Sequence, residues 1–379
     1  MRKTAILVAL LIGAAACAKQ AAGPEPSAPT AAPAAPGAKA GAPAKSGGGG
    51  DLTSRLGSAL EEYSQSSGGQ ERRVALGNFT FQDSEAAGPF SAYLKDEISL
   101  AISRNPKLSE VERERLQQIL EEQALSLSGI MDPSSTAAVG KIQGVEGLLW
   151  GRYYVGKDEV ELRLTVTDLG SGKKFPMKVA VSKSAVPSSV SFAPSNFQAY
   201  QAQRAAFGSD EARDFPLELW VDRGPGGVYR DGEKMIVGVR TGQDCYLKLV
   251  HISVDGQMQV IFPNKFDRNN KIKAGEVHNI GGPGYGFEFE MTEPYGAETI
   301  RAFASTYQFD DIEQVLAAAD QETFSAVGAA DAATIQGFRT RGLKVKAASS
   351  QSAGRSQYPP LSSQILRSEA GVTYTILAR

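Results

Sequence analysis

The chain has 379 residues, more than one hydrophobic core usually organises, so two globular domains plus unstructured segments are expected. Apolar residues make up 42% and charged residues 22%, ordinary globular values that argue against wholesale disorder and against a polytopic membrane protein. Lys and Arg number 40 against 42 Asp and Glu, and the net charge of −2 is too balanced for the field that gathers nucleic acid.

The chain opens with Arg2 and Lys3, an apolar run from Ala5 to Gly13, and the small residues Ala14-Ala15-Ala16. This is the pattern of an export signal. Its apolar stretch falls short of the roughly 20 residues a stable membrane-crossing helix needs, so removal is expected rather than permanent anchoring. Ala14-Ala15-Ala16-Cys17 resembles a bacterial lipobox, although Leu is usual where Ala14 stands. The resemblance implies acylation of Cys17, cleavage before it, and attachment to a membrane through an N-terminal lipid. Ala14-x-Ala16 also fits the ordinary signal peptidase, which leaves a soluble periplasmic product as the alternative. Ala18 rather than aspartate follows the cysteine, which by resemblance to Gram-negative sorting implies an outer-membrane lipoprotein facing the periplasm if the host is Gram-negative. With Cys17 acylated, Cys245 has no intramolecular partner, and a disulfide framework is excluded.

Residues 18–50 are almost entirely Ala, Pro, Gly, Ser and Lys and end in Gly47-Gly48-Gly49-Gly50. Such a composition buries too little apolar surface to order itself and reads as a tether. At about 3.1 Å per residue it reaches about 100 Å.

A first domain is expected over 51–181. Arg72 to Phe79 reads as a strand, and Leu94, Ile98, Ala101 and Ile102 form one face of a helix within 90–102. Asn105-Pro106 stops it, and a short strand spans 108–111. Leu116, Ile119, Leu120, Gln123 and Leu127 line a helix starting near Arg113 and ending at Ser128-Gly129, and Ser134-Ser135-Thr136 caps a third through Ile142. Strands over 147–154 and 160–168 pair across Gly156-Lys157-Asp158, and Gly170-Ser171-Gly172 turns into another near 177–181. The result is an α/β sandwich with a mixed sheet, in two or three layers.

Asn78-Phe79, Val111-Glu112-Arg113 with Leu116, Leu120 and Glu122-Gln123, then Ser128-Gly129, Val139-Gly140, Gly144-Val145 and Leu149-Trp150-Gly151 together resemble the curli-secretion-type lipoprotein superfamily. That group includes flagellar outer-membrane lipoproteins and activator lipoproteins of penicillin-binding proteins. The resemblance covers roughly a hundred residues and implies a fold more than a function. One family member forms a pore with long amphipathic hairpins, each needing at least about twenty residues. The connections read here are shorter, so a periplasm-facing adaptor is preferred. Residues 182–214, rich in Ser, Gln and Ala with Pro187 and Pro194, read as an interdomain linker.

The second domain, 215–379, alternates short β-type runs with turns, over 217–221, 235–240, 245–253, 258–262, 286–291, 299–305 and 372–377. Asp255-Gly256 sits between two of them as a hairpin turn should. A helix is expected over 310–324, with Ile312, Val315, Leu316 and Ala319 on one side, and a loop over 347–363. This spacing predicts a β-sandwich. Leu217-Glu218-Leu219-Trp220, Tyr246-Leu247-Lys248-Leu249, Ile261-Phe262-Pro263-Asn264, Lys273-Ala274-Gly275-Glu276 and Pro294-Tyr295-Gly296-Ala297-Glu298 resemble a bacterial domain of unknown function, which implies ligand or partner binding by analogy only.

The fold expected is therefore α+β multidomain, an α/β sandwich with a mixed sheet followed by a mainly antiparallel β-sandwich. Chemistry has little to build on. His251 and His278 are the two histidines and lack metal-ligand spacing, so no metal or cofactor is expected. Cys245 reads as a buried small hydrophobe, Asp310-Asp311 as helix N-terminal charge, and Gly282-Pro283-Gly284-Tyr285-Gly286 as a loop. No catalytic residue is assigned and no enzyme is expected. Trp220, Tyr229, Phe262, Phe266 and Tyr295, at strand ends and turns, are candidates for a recognition surface, with core packing as their ordinary use. The functional expectation is an envelope adaptor with a protein partner. The alternative is a subunit of a secretion or flagellar-associated assembly, and the oligomeric state is open.

Overall fold

The computed structural model describes residues 52–112, 144–208, 212–321, 325–331, 334–335 and 365–379, all within one compact unit spanning Gly49–Arg379. The export signal, Cys17, the tether, both helices expected over 113–142 and the loop over 347–363 lie outside them. The fold is α+β, a mixed sheet with helices followed by mainly antiparallel sheets.

The chain enters through α1 (Leu52–Ser66), which buries Leu52, Leu56, Leu60 and Tyr63 on one face. This helix was not anticipated, because Gly57 and the polar run from Glu61 weaken its pattern. β1 (Arg72–Phe81) leads to α2 (Pro89–Ser103). Pro89 suits the first helical turn, and the Ser91 Oγ accepts the Gly88 N–H at 3.0 Å. β2 (Leu108–Val111), β3 (Gly147–Val155), β4 (Glu159–Asp168) and β5 (Lys174–Ser182) complete a five-stranded sheet of order β2-β1-β3-β4-β5. β1 runs parallel to β2 and β3, while β3, β4 and β5 are antiparallel. Along β4, Val160, Leu162, Leu164 and Val166 are buried while Glu161, Arg163 and Thr165 are not. One face thus packs on α1 and α2, and the other carries Arg163–Glu161 and Lys178–Glu161 pairs at 2.7 and 2.6 Å. Among the described residues this makes two layers.

The segment expected as a linker is folded. A 3-10 turn (Lys183–Ala185) and α3 (Phe197–Phe207) occupy it. Tyr200 is fully buried, with its hydroxyl 3.2 Å from the Thr373 Oγ1. Asn196 donates to the Ala297 carbonyl at 2.8 Å and accepts the Ala297 N–H at 2.9 Å. Phe192 packs on Phe90 at 5.0 Å. Four aromatics, Phe192, Phe197, Tyr200 and Phe207, and the amides of Asn196 and Gln203 do the work of an apolar stripe, a signal too sparse for periodicity to register.

Beyond it lie β6 (Leu217–Val221), β7 (Gly227–Arg230), β8 (Lys234–Met235), β9 (Val237–Thr241), β10 (Cys245–Ile252), β11 (Gln257–Phe262), β12 (Lys271–Ile272), β13 (Val277–Ile280), β14 (Phe289–Glu290), β15 (Gly296–Ser305), α4 (Ile312–Gln321), β16 (Ser325–Ala329) and β17 (Arg367–Leu377). The large sheet runs β16-β11-β10-β15-β17-β7 with β12 on β10, antiparallel except where β7 joins β17. A three-stranded sheet, β13-β9-β6, packs across it, so Val221, Val237 and Val239 meet Leu247, Leu249, Ile300, Val372 and Ile376 in one core. The opposite face of the large sheet is also covered. Val250, Ile252, Met258, Val260 and Phe303 pack with Phe207 of α3 and Val315 of α4. Double coverage explains why β10 and β15 are buried at nearly every residue rather than at alternate ones.

The two cores are fastened directly. Asn78, in the strand that carries the Asn78-Phe79 motif, donates to the carbonyls of Arg223 at 2.6 Å and Pro225 at 2.9 Å. The Ala87 N–H meets the Thr375 Oγ1 at 3.0 Å. At Asp255-Gly256 the β10–β11 hairpin turns as expected, with Gly256 at φ 83°, a region that favours glycine.

Candidate binding cavity and aromatic surface

The site begins at the end of β11. The Asn264 side chain, 1% exposed, donates to the Ile261 carbonyl at 2.9 Å and accepts the N–H groups of Phe266 and Asp267 at 2.9 and 3.1 Å. This Asx turn pushes Lys265 and Phe266 outward, leaving Phe266 53% exposed. Phe266 stacks on Phe287 at 6.3 Å, and Phe287 meets Tyr285 at 5.8 Å and Phe289 at 5.3 Å edge-on. Tyr285 in turn meets Phe262 at 6.3 Å. A file of rings thus runs from the sandwich core to the surface.

Phe289 is also a wall of a cavity of about 460 Å³, with Met235, Ile261, Met291 and Ile376 as further apolar walls. Glu298, His251 and Tyr374 line its interior. β15 and β17 place Glu298 directly opposite Tyr374, and β10 brings His251 against Ile300, two residues along the same strand. The Glu298 Oε2 takes the Tyr374 hydroxyl at 2.7 Å and lies 2.8 Å from the His251 Nε2. Burial, with the Glu298 carboxylate adding to it, holds the Tyr374 phenol well above its ordinary pKa, so it stays a hydrogen-bond donor. Glu288, Glu290 and Glu293 are exposed lining residues, and among the described residues no Lys or Arg lines the cavity.

The five candidate aromatics separate. Phe266 and Tyr295, the latter 36% exposed beside the lining residue Pro294, are at the surface near this site. Tyr229 and Phe262, expected as surface candidates, are instead core residues at 0% and 1% exposure. Tyr229 points inward from β7, packs edge-on against Tyr374 at 5.8 Å, and donates to the Asp222 Oδ1 at 2.6 Å. Trp220 is half-buried with its indole lying over Gly238, where a Cβ would overlap the ring. Gly238→Ala is therefore expected to displace that ring and destabilise the fold by about 1–3 kcal/mol, read as a red-shifted Trp220 emission in a Trp150→Phe background and a lower urea midpoint.

Sequence reasoning missed His251, Glu298, Tyr374, Phe287 and Phe289 as a group. The available signal was weak: Glu298 is a carboxylate within a strand of small and β-branched residues, Gly296-Ala297-Glu298-Thr299-Ile300. Asp311, expected as helix N-terminal charge, immediately precedes α4 and also binds the buried Lys248 Nζ through both oxygens at 2.8 and 3.0 Å. Cys245 is buried, and burial pushes its thiol up. Among the described residues no group of three or more His, Cys, Asp or Glu is placed to hold a metal ion, and no helix is long and apolar enough to cross a membrane. A second cavity, about 800 Å³, mixes Arg204, Arg213 and Arg301 with Glu85, Asp214 and Glu369, and Arg301 there pairs with Glu369 at 3.3 Å.

Two parts of the chain match known families. Residues 70–154 match the family described as "Curli production assembly/transport component CsgG", and residues 228–308 match a domain of unknown function, DUF4384. The first match lies on β1 to β3 and the second on β7 to β15. Among solved structures, the LpoB C-terminal domain from Escherichia coli is similar at 13% identity and a TM-score of 0.25, over 34% of this chain and 98% of that one. The corresponding domain from Salmonella enterica gives 14% and 0.27, over 34% and 96%. The NMR structure of Escherichia coli LpoB gives 16% and 0.23, over 48% and 95%. No curated protein matches the chain.

Proposed function

We propose that this chain is an exported, lipid-anchored binding protein of the cell envelope, an adaptor whose folded part recognises another envelope component. The observation that carries the reading is the match of residues 70–154 to a curli assembly and transport family, in a chain that opens with an export signal and a lipobox-like cysteine. In this reading 18–50 is the tether, and 51–181 and 215–379 are two folded modules joined through 182–214. The modules work by holding a partner at a distance of up to about 100 Å from the anchoring bilayer. Phe266 and Tyr295 supply the exposed aromatic contacts such surfaces favour.

Cys17→Ser is the direct test. The native chain is expected to carry acyl mass on its mature N-terminus and to partition with membranes, and the variant to appear unacylated and soluble. Crosslinking in intact cells followed by capture of the acylated chain should recover one envelope protein above background. An unacylated, soluble native product with no crosslinked partner would overturn the proposal. The family's description as an assembly and transport component favours one other reading, a subunit of a secretion assembly, and a ring-sized oligomer of the detergent-extracted chain would select it.

A further inference from the structure

We propose that the cavity containing Glu298 is a receptor for an alkylammonium group, an amine at the end of an aliphatic stem such as a lysine side chain or a free diamine carries. The inference names a ligand for the binding reading above and rests on it only in taking the cavity as a binding site.

Glu298 is 3% exposed, in a strand that is buried along almost its whole length. A buried carboxylate is costly unless hydrogen bonds or a counter-charge compensate it. Both hydrogen bonds it receives, from Tyr374 and at His251, fall on Oε2. Among the described residues none reaches Oε1, and that atom is not enclosed, so it faces the cavity that Glu298 lines. The arrangement orients a carboxylate from behind and leaves one acceptor forward.

The rest of the cavity narrows the ligand class. Met235, Ile261, Phe289, Met291 and Ile376 offer apolar walls to a methylene stem, and methionine side chains adapt to its path. An ammonium has three donors, and Gln259, opposite His251 across β10 and β11, adds a side-chain oxygen to the lining. The exposed Glu288, Glu290 and Glu293 favour approach by a cation. Lys234 meets Glu288 at 2.6 Å and also feels Glu290, but Lys234 and Glu288 are both more than half exposed, so these interactions are screened and three carboxylates face one cation. An anion would meet Glu298, Glu288, Glu290 and Glu293 with His251 as the one basic side chain, itself engaged by Glu298, and a neutral apolar ligand would leave Oε1 unpartnered. At about 460 Å³ the space admits a lysine-length stem with room for the group that bears it.

The test uses the full-length chain in detergent and titration calorimetry with 1,5-diaminopentane, an N-acetyl, C-amidated alanine–lysine–alanine peptide, and 1-pentanol. Saturable binding of an amine is expected, with pentanol weaker by about tenfold or more. The peptide outscoring the diamine would place the amine on a polypeptide, and the reverse order would make it a small molecule. Glu298→Gln keeps an oxygen for His251 and Tyr374 while removing the charge, and should weaken the amine by about tenfold. Glu290→Gln/Glu293→Gln, at exposed positions, should weaken it by a smaller factor without disturbing the fold. Equal binding of amine and alcohol, no saturable binding, or unchanged affinity in both variants would overturn the assignment. Because acylation and envelope capture are measured separately, such a failure would leave the adaptor reading standing.

Discussion

Asp311→Ala is expected to destabilise the folded unit by about 3–5 kcal/mol. Lys248 lies on β10, in the middle of the large sheet, with 1% of its surface exposed. Its ammonium bonds both Asp311 oxygens and lies 4.3 Å from the centre of the Phe309 ring. Removing the carboxylate takes the counter-charge from a buried ammonium, and that costs more than the pair contributes as a pair. Lys248→Met should cost less, because methionine suits the same apolar channel and Asp311, less deeply buried, can turn toward solvent. The double variant Lys248→Met/Asp311→Ala should recover most of the loss. Urea unfolding of the three variants checks this, and a loss below about 1 kcal/mol for Asp311→Ala would show that the ammonium finds compensation elsewhere.

Phe90→Ala should cost a similar amount, about 3–5 kcal/mol, by opening a cavity in the first core. Phe90 is fully buried on α2 and touches Tyr153 at 4.8 Å and Phe192 at 5.0 Å. The Tyr153 hydroxyl donates to the Phe192 carbonyl at 2.8 Å, so the same ring helps seat the 182–214 segment on the sheet. The variant is therefore expected to unfold at lower urea and also to be cut faster by protease within 186–196 at concentrations where the native chain resists. Phe90→Leu, which refills most of the volume, should lose under about 1.5 kcal/mol. Equal protease resistance in native and Phe90→Ala chains would show that the segment is held by its other contacts alone.

Strands and hairpins were legible wherever a single face is buried. The alternation of Val160, Leu162, Leu164 and Val166 and the Asp255-Gly256 turn state their structure locally, and the mixed sheet and sandwich followed from such signals. α3 was not legible. Its buried positions are Tyr200, Gln203 and Phe207, and Gln203 cannot be told from a solvated glutamine until the neighbouring strands are present. The candidate surface fared similarly: a strand-end aromatic gives no indication of which way it points, and Tyr229 and Phe262 point inward while Phe266 points out.

Local spacing alone thus determined the order and kind of most elements, the export signal and lipobox-like cysteine as expectations, and the absence of any sequence pattern for metal or nucleophilic chemistry. Only the tertiary structure decided that Glu298, Tyr374 and His251 share one wall, that Lys248 is matched by Asp311 63 residues away, and that the segment between the modules is packed rather than loose. The reason is physical. Periodicity reports which side of an element avoids water, whereas cross-strand register and the packing of helices on both faces of a sheet set which polar groups meet once water is gone, and those are properties of distant residues together.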